Sequence, residues 1–233
     1  MNFSLQRLFI QTRTTESRIV NDVLAVLTIM SIVSLVLETV PALEEFSLIF
    51  TTVEWIAVVF FGLEYIGRLH ASTPKRKYAL SFFGMIDLIS ILPTLLGLGN
   101  FTFLKSARAL RIIRMLRMFR LAKIARTNTI AEEHMSVLSI NILIYFSTLL
   151  FALLVTGTLM YLVEGGQSAF VSIPAGMWWS LKVFMAGIPV VEPVTAIGEF
   201  LFVLIRFVGL LLLGLLIGVV GNVFRVLVMG KST

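Results

Sequence analysis

The chain has no cysteine, which excludes disulfide bridges and every metal site built on thiolates and leaves the redox compartment unread. Charge is scarce as well: Asp, Glu, Lys and Arg make up 14% of 233 residues, where a soluble domain carries about 25%. Histidine is almost missing. His70 and His134 stand far apart, and each reads as a membrane-interface residue rather than a ligand. No Gly/Ser linker or low-complexity tract divides the chain, and its start lacks the basic, apolar, then small order of a cleaved signal. Residues 1–18 read instead as a short amphipathic cytosolic segment. No nucleophile accompanies a base, no glycine loop suits a phosphate, no cluster suits a metal, and no inverted repeat carries paired broken helices. An enzyme or transporter is therefore not expected, nor a bound cofactor or a small-molecule substrate.

What the chain has in excess is apolar surface: 58% of its residues, with a mean hydropathy of +0.98. The surplus gathers in blocks of about 20 residues, the length that crosses a hydrocarbon core about 30 Å thick. Residues 19–37, 47–67, 80–98, 137–163 and 196–229 form five such blocks, and 101–126 forms a sixth that is apolar but for a row of cations. The last block exceeds a bilayer's need and has to tilt or protrude. Between the final two lies 170–191, interrupted by Pro174, Gly176, Gly187 and Pro189. That run is too short and broken to span, and it suits a re-entrant segment. Six membrane-spanning helices are expected.

The net charge of +6 lies between these blocks or inside one of them, so it marks membrane lipid rather than nucleic acid as the partner. One set of loops holds Arg7, Arg13, Arg18, then Arg68, Lys75, Arg76, Lys77, then Arg225 and Lys231. The opposite set holds Glu38, Glu44, Glu45, Glu164 and Glu192, with no lysine or arginine. By the positive-inside rule both termini are cytosolic in a multi-pass protein of the cell membrane. The alternation also requires an even number of spans.

Lys105, Arg108, Arg111, Arg114, Arg117, Arg120, Lys123 and Arg126 recur at every third position. The residues between them, such as Leu110, Ile113, Leu116 and Phe119, are nearly all apolar. A period of three aligns charges on one face of a 3₁₀ helix and on a slowly winding stripe of an α-helix. Cations at bilayer depth persist only beside partners or water, and one charge crossing 100 mV gains about 2.3 kcal/mol. The row therefore reads as a voltage sensor. The competing reading is a basic amphipathic helix that lies on an anionic membrane or binds calmodulin. Such helices usually scatter their cations among other polar residues. Mobile cations need counter-charges, and Glu54 and Glu64 in the second block and Asp87 in the third supply them. Phe61, one turn before Glu64, would plug the water path between the two vestibules. Taken singly each acid could be interfacial, Glu54 above all. Together they suit a charge-transfer site.

With these residues in place the chain resembles the voltage-gated potassium channel family. Glu54, Phe61, Glu64 and Arg68 match the family's outer acid, aromatic plug, inner acid and arginine, and 85–93 looks like its acid-bearing third helix. Ser172-Ile173-Pro174-Ala175-Gly176-Met177-Trp178-Trp179 is similar to the start of its pore helix, and 215–224 to its inner helix. Gly209 falls where the family places a gating hinge. The resemblance implies an all-α membrane protein: a four-helix voltage-sensor bundle plus a two-helix pore module with a re-entrant pore helix, assembled as a homotetramer. The implied layout is a sensor at 19–120, a linker helix at 121–134, a pore domain at 135–229 with its loop at 170–193, and a tail at 230–233.

The filter departs from that family. The Thr-Val-Gly-Tyr-Gly filter strips the ion's water with backbone carbonyls. Here Met185, Ala186, Gly187, Ile188, Pro189 and Val190, then Val191 and Glu192, occupy its place, one residue short before Pro193. Valine resists the backbone conformations that glycine permits, and Pro189 removes a donor. Lys182 and Arg206 place cations near a cation path, as pore electrostatics or as stabilising contacts to acids such as Glu192 or Glu199. Three readings remain: a cation channel of unusual selectivity with Glu192 ringing its mouth, an anion-permeable channel, and a non-conducting voltage sensor. The first is favoured because the scaffold is otherwise complete, with a monovalent cation as the permeant ion.

Overall fold

In a computed structural model of the chain, the described residues are 15–72, 74–98, 137–186, 188 and 190–229. All regular structure among them is helical, as hydrocarbon demands of any backbone that is not closed into a barrel. The helices are α1 (Thr15–Leu37), α2 (Ser47–Ala71), α3 (Lys75–Ala79), α4 (Phe82–Leu98), α5 (Val137–Glu164), α6 (Ile173–Phe184) and α7 (Ala196–Met229). Short 3₁₀ turns at Pro41–Phe46 and Ser168–Phe170 precede α2 and α6. Among the described residues four stretches are long and apolar enough to cross a membrane: Ile19–Leu37, Pro41–Ala71, Asn141–Glu164 and Ala196–Arg225. The third expected span corresponds to α4, whose 17 residues reach about 25 Å at 1.5 Å each. The sixth expected span and the linker lie outside the described residues.

The helices fall into two compact units, one holding α1 to α4 and the other α5 to α7 together with Thr39–Pro41. In the first, α2 packs against both α1 and α4. Leu24, Ala57, Val58, Phe61 and Ile91 form its apolar centre. Buried positions on α2 run Ala57, Phe61, Glu64 and Ala71, the three-and-four spacing of one helical face. Leu48, Val59, Phe60 and Leu63 point outward and exposed, which suits lipid rather than water.

In the second unit α6 packs against both α5 and α7. Glycines set these crossings. A Cβ on Gly157 of α5 would lie 2.5 Å from the Met177 nitrogen, and one on Gly176 of α6 would lie 2.3 Å from the Gly157 carbonyl oxygen. The two backbones therefore touch where neither residue has a side chain. On the other side a Cβ on Gly209 would lie 2.8 Å from the Phe184 Cα. The centre of the unit is Met160, Phe170, Trp179, Val183, Phe184, Ile205 and Leu212.

The expected 170–191 segment is helical over a narrower range, Ile173–Phe184. Ser172 caps its start, its hydroxyl accepting from the Ala175 amide, and Pro174 occupies the first turn, where it forfeits no helical bond. The helix ends where Ala186 turns to φ 45°. The second block runs to Ala71 rather than residue 67, because Arg68 and His70 continue the helix and Ser72 closes it by donating to the Arg68 carbonyl.

Candidate functional site

The first unit buries two acids. Glu64 is 5% exposed and Asp87 fully buried. Carboxylates at such depth require partners. Arg68, one turn after Glu64 on α2, pairs with it at 2.5 Å and reaches Asp87 at 3.7 Å. In the sequence Arg68 counts both among the loop charges and as the family's arginine. The structure places it within α2, its side chain 12% exposed and ion-paired with both acids. The Arg68 guanidinium also donates to the Asn21 side-chain oxygen of α1 at 3.4 Å. Tyr78, from the short α3, donates its hydroxyl to Asp87 at 2.7 Å. Burial, and then the adjoining Asp87 carboxylate, hold the Tyr78 phenol well above its ordinary pKa, so it remains a donor.

Phe61 is fully buried one turn before Glu64, within the apolar centre of the unit. Glu54 is half-buried, ten residues before Glu64 on the same helix and hence about 15 Å away along it. The structure thus brings Glu64 and Asp87 to one guanidinium, seats Phe61 in the apolar cluster beside them, and leaves Glu54 apart. The eight cations, Lys105, Arg108, Arg111, Arg114, Arg117, Arg120, Lys123 and Arg126, lie outside the described residues. Tyr78 and Asn21 escaped the sequence reading. Only contact across four helices brings them to the cluster.

In the second unit the paired tryptophans diverge around α6. Trp179 is 3% exposed, packed against Phe170 and Phe202, while Trp178 is 61% exposed. The Trp179 indole donates to the Val191 carbonyl at 2.9 Å and ties the returning loop to the helix. The positive φ in the altered filter stretch falls on Ala186, a residue with a Cβ, rather than on a valine. Met185 and Ile188 are exposed and Val190 packs against the core. Gly187 and Pro189 lie outside the described residues. Gly209 sits inside the unbroken α7, where its missing side chain admits the Phe184 backbone.

The loop after Val191 is anchored by a residue read from sequence only as an outer acid. Glu164, 2% exposed at the end of α5, accepts from the Val194 and Thr195 amides at 3.2 and 2.9 Å. It also accepts from the Thr195 hydroxyl at 2.5 Å and the Gln167 amide at 2.7 Å. Gly198 leaves room for it, since a Cβ there would lie 2.0 Å from the Glu164 Oε1. At the other end of α6 the Ile173 amide donates to the Thr39 hydroxyl at 2.9 Å. Neither contact leaves a local sequence signal, because each joins residues far apart along the chain.

Lys182 and Arg206 do not make the expected pairs with Glu192 or Glu199 among the described residues. Lys182 instead lies over the Trp178 ring at 5.7 Å and Arg206 over the Phe202 ring at 4.3 Å. Both line one cavity of about 220 Å³ together with Ala186, Ile188 and Val190 of the loop. Glu192 is exposed.

Residues 17–227 match the family model described as ion transport protein. A Rhodopseudomonas palustris protein named as a candidate potassium channel is 29% identical over 224 residues, 88% of this chain and 53% of its own length. An A-type voltage-gated potassium channel of Homo sapiens is 27% identical over 176 residues, covering 65% of this chain and 26% of its own length. The potassium voltage-gated channel protein Shal of Drosophila melanogaster is 33% identical over 61 residues, 26% of this chain and 11% of its own length. The chain thus spans about half the length of the first relative and about a quarter of the second. The family match covers nearly the whole chain and agrees with the resemblance read from its motifs: this chain belongs to the ion transport protein family.

Proposed function

We propose that the chain is the subunit of a voltage-gated, potassium-channel-like ion channel that passes monovalent cations with unusual selectivity. The observation that carries this reading is the buried pair Glu64 and Asp87, joined by Arg68 one turn from the sealed Phe61, in a chain that also holds eight cations at a period of three. Buried acids beside an apolar seal give a moving cation a place to rest on one side of a barrier. The named relatives, potassium channels by name, favour the same class.

In this mechanism six spans form a sensor at 19–120 and a pore at 135–229, four copies surround one pore, and both termini face the cytosol of a cell-membrane protein. Depolarisation drives Arg108 to Arg120 outward past Phe61, from Glu64 and Asp87 toward Glu54. Each charge that crosses gains about 2.3 kcal/mol per 100 mV, and several charges in four subunits gain tens. The linker 121–134 then pulls on the inner helix between Gly209 and Phe224. In the pore, the stretch from Met185 to Val190 replaces the usual carbonyl ladder, and Glu192 forms an acidic ring at the outer mouth.

Two recordings test this. Gating charge measured on a variant with Arg111, Arg114 and Arg117 all changed to Gln should fall steeply, and undiminished charge movement defeats the sensor. Reversal potentials in reconstituted bilayers under potassium, sodium and chloride gradients should follow the cations. A reversal that follows chloride makes the pore anion-permeable, and gating charge without ionic current makes the chain a non-conducting sensor.

A further inference from the structure

Arg206 is the eleventh residue of α7, about 15 Å along a helix whose Ala196–Arg225 portion is long and apolar enough to cross a membrane. A cation at that depth is costly and persists only beside a counter-charge or water. Lys182 meets the same demand at the last turn of α6, and both line one cavity together with Ala186, Ile188 and Val190. Their aromatic contacts, Trp178 and Phe202, hold cations but carry no net charge. Among the described residues no carboxylate pairs with either. Glu164 is engaged with Val194, Thr195 and Gln167. Glu199 lies seven residues before Arg206 on the same helix, about 10.5 Å away along its axis. The cavity, about 220 Å³, holds several times the roughly 30 Å³ that one water occupies. Two cations on one cavity, Arg206 exposed and Lys182 half-buried in the single chain, together with its neutral walls and volume, describe a site for a small anion.

We propose that Lys182 and Arg206 jointly bind one small inorganic anion of the halide class, which neutralises them and braces Ala186, Ile188 and Val190 against them. The site goes beyond the channel reading and stands whether or not the chain conducts. It also differs from anion permeation, because the ion is resident.

The test is made on the full chain in detergent, with chloride and bromide as probes. Raising sodium chloride from about 5 to about 300 mM should raise Tm by about 5 °C relative to sodium gluconate of equal ionic strength. Lys182→Met and Arg206→Met should each abolish that difference. Bromide soaked into wild-type crystals should give an anomalous peak between the two side chains, a readout that needs no variant to fold. Equal Tm in chloride and gluconate, or a cavity without bromide, overturns the site. So does a chloride effect undiminished in both variants, which marks general salt stabilisation. Chloride dependence that appears only in Glu192→Gln or Glu199→Gln overturns it too, since a carboxylate of a second copy then fills the cavity.

Discussion

Glu164 offers the most exacting test of how the pore unit is held together. Its two carboxylate oxygens take four hydrogen bonds. Oε1 accepts from the Thr195 amide and hydroxyl, and Oε2 from the Val194 amide and Gln167. Glu164→Gln keeps the volume but turns one oxygen into an NH₂ that faces two donors. Two bonds are lost outright and the other two lose their charge assistance. A hydrogen bond to a charged group contributes about 1.5–3 kcal/mol and a neutral one about 0.5–1.5. Summed bond by bond these values overshoot, because such terms do not add within one network; the expected loss is the usual cost of breaking a buried charged network, about 3–5 kcal/mol. At about 1.4 kcal/mol per factor of ten, hydrogen exchange at the Val194 and Thr195 amides should accelerate about 100- to 4,000-fold. Gly198→Ala should produce the same acceleration, because its Cβ displaces the carboxylate. The double variant should then add little to either single change. Unchanged exchange at Val194 and Thr195 in Glu164→Gln, or full additivity with Gly198→Ala, refutes the assignment.

Three further outcomes are expected. Gly157→Ala or Gly176→Ala drives a Cβ into facing backbone and should cost at least about 2–3 kcal/mol, whereas Gly62→Ala meets nothing within 4 Å and should be neutral or gain up to about 1 kcal/mol; thermal unfolding separates them. Ala186→Gly relieves a left-handed residue and should stabilise the chain by about 1 kcal/mol, read as a higher Tm. For Tyr78 the folded pKa is raised, first by burial and then by Asp87. Its contribution is fully present below the unfolded value of about 10 and is lost only as pH rises through the folded value. Phenolate absorbance should show a late-ionising phase from Tyr78, and Tyr78→Phe should remove that phase.

The identity of the helices was written in the sequence, because an apolar run of about 20 residues has one stable form in hydrocarbon. The last span, 196–229, was legible to its ends, since its flanks turn polar or irregular at both limits. The 170–191 run was legible only as a broken segment. Its helix, Ile173–Phe184, is bounded by the Ser172 cap and the turn at Ala186, and apolar content does not report a cap or a positive φ. In the first unit, Glu64 and Asp87 stood out because acids are conspicuous in apolar helices, and Phe61 because it stands one turn before Glu64. Their partners were not conspicuous. Tyr78 and the Arg68 guanidinium reach Asp87, and Asn21 reaches that guanidinium, only when α1, α2, α3 and α4 pack.

The sequence by itself determined that this chain is helical, membrane-embedded and armed with a regular row of cations, since each property follows from local composition and period. The tertiary structure alone decided that Arg68 joins two buried acids and that Gly157 and Gly176 let two backbones touch. It alone seated Glu164 under the Thr195 loop and turned Lys182 and Arg206 to one cavity rather than to Glu192 or Glu199. Each of these joins residues from different elements, and such contacts depend on the distance and angle at which helices cross, which no local pattern encodes.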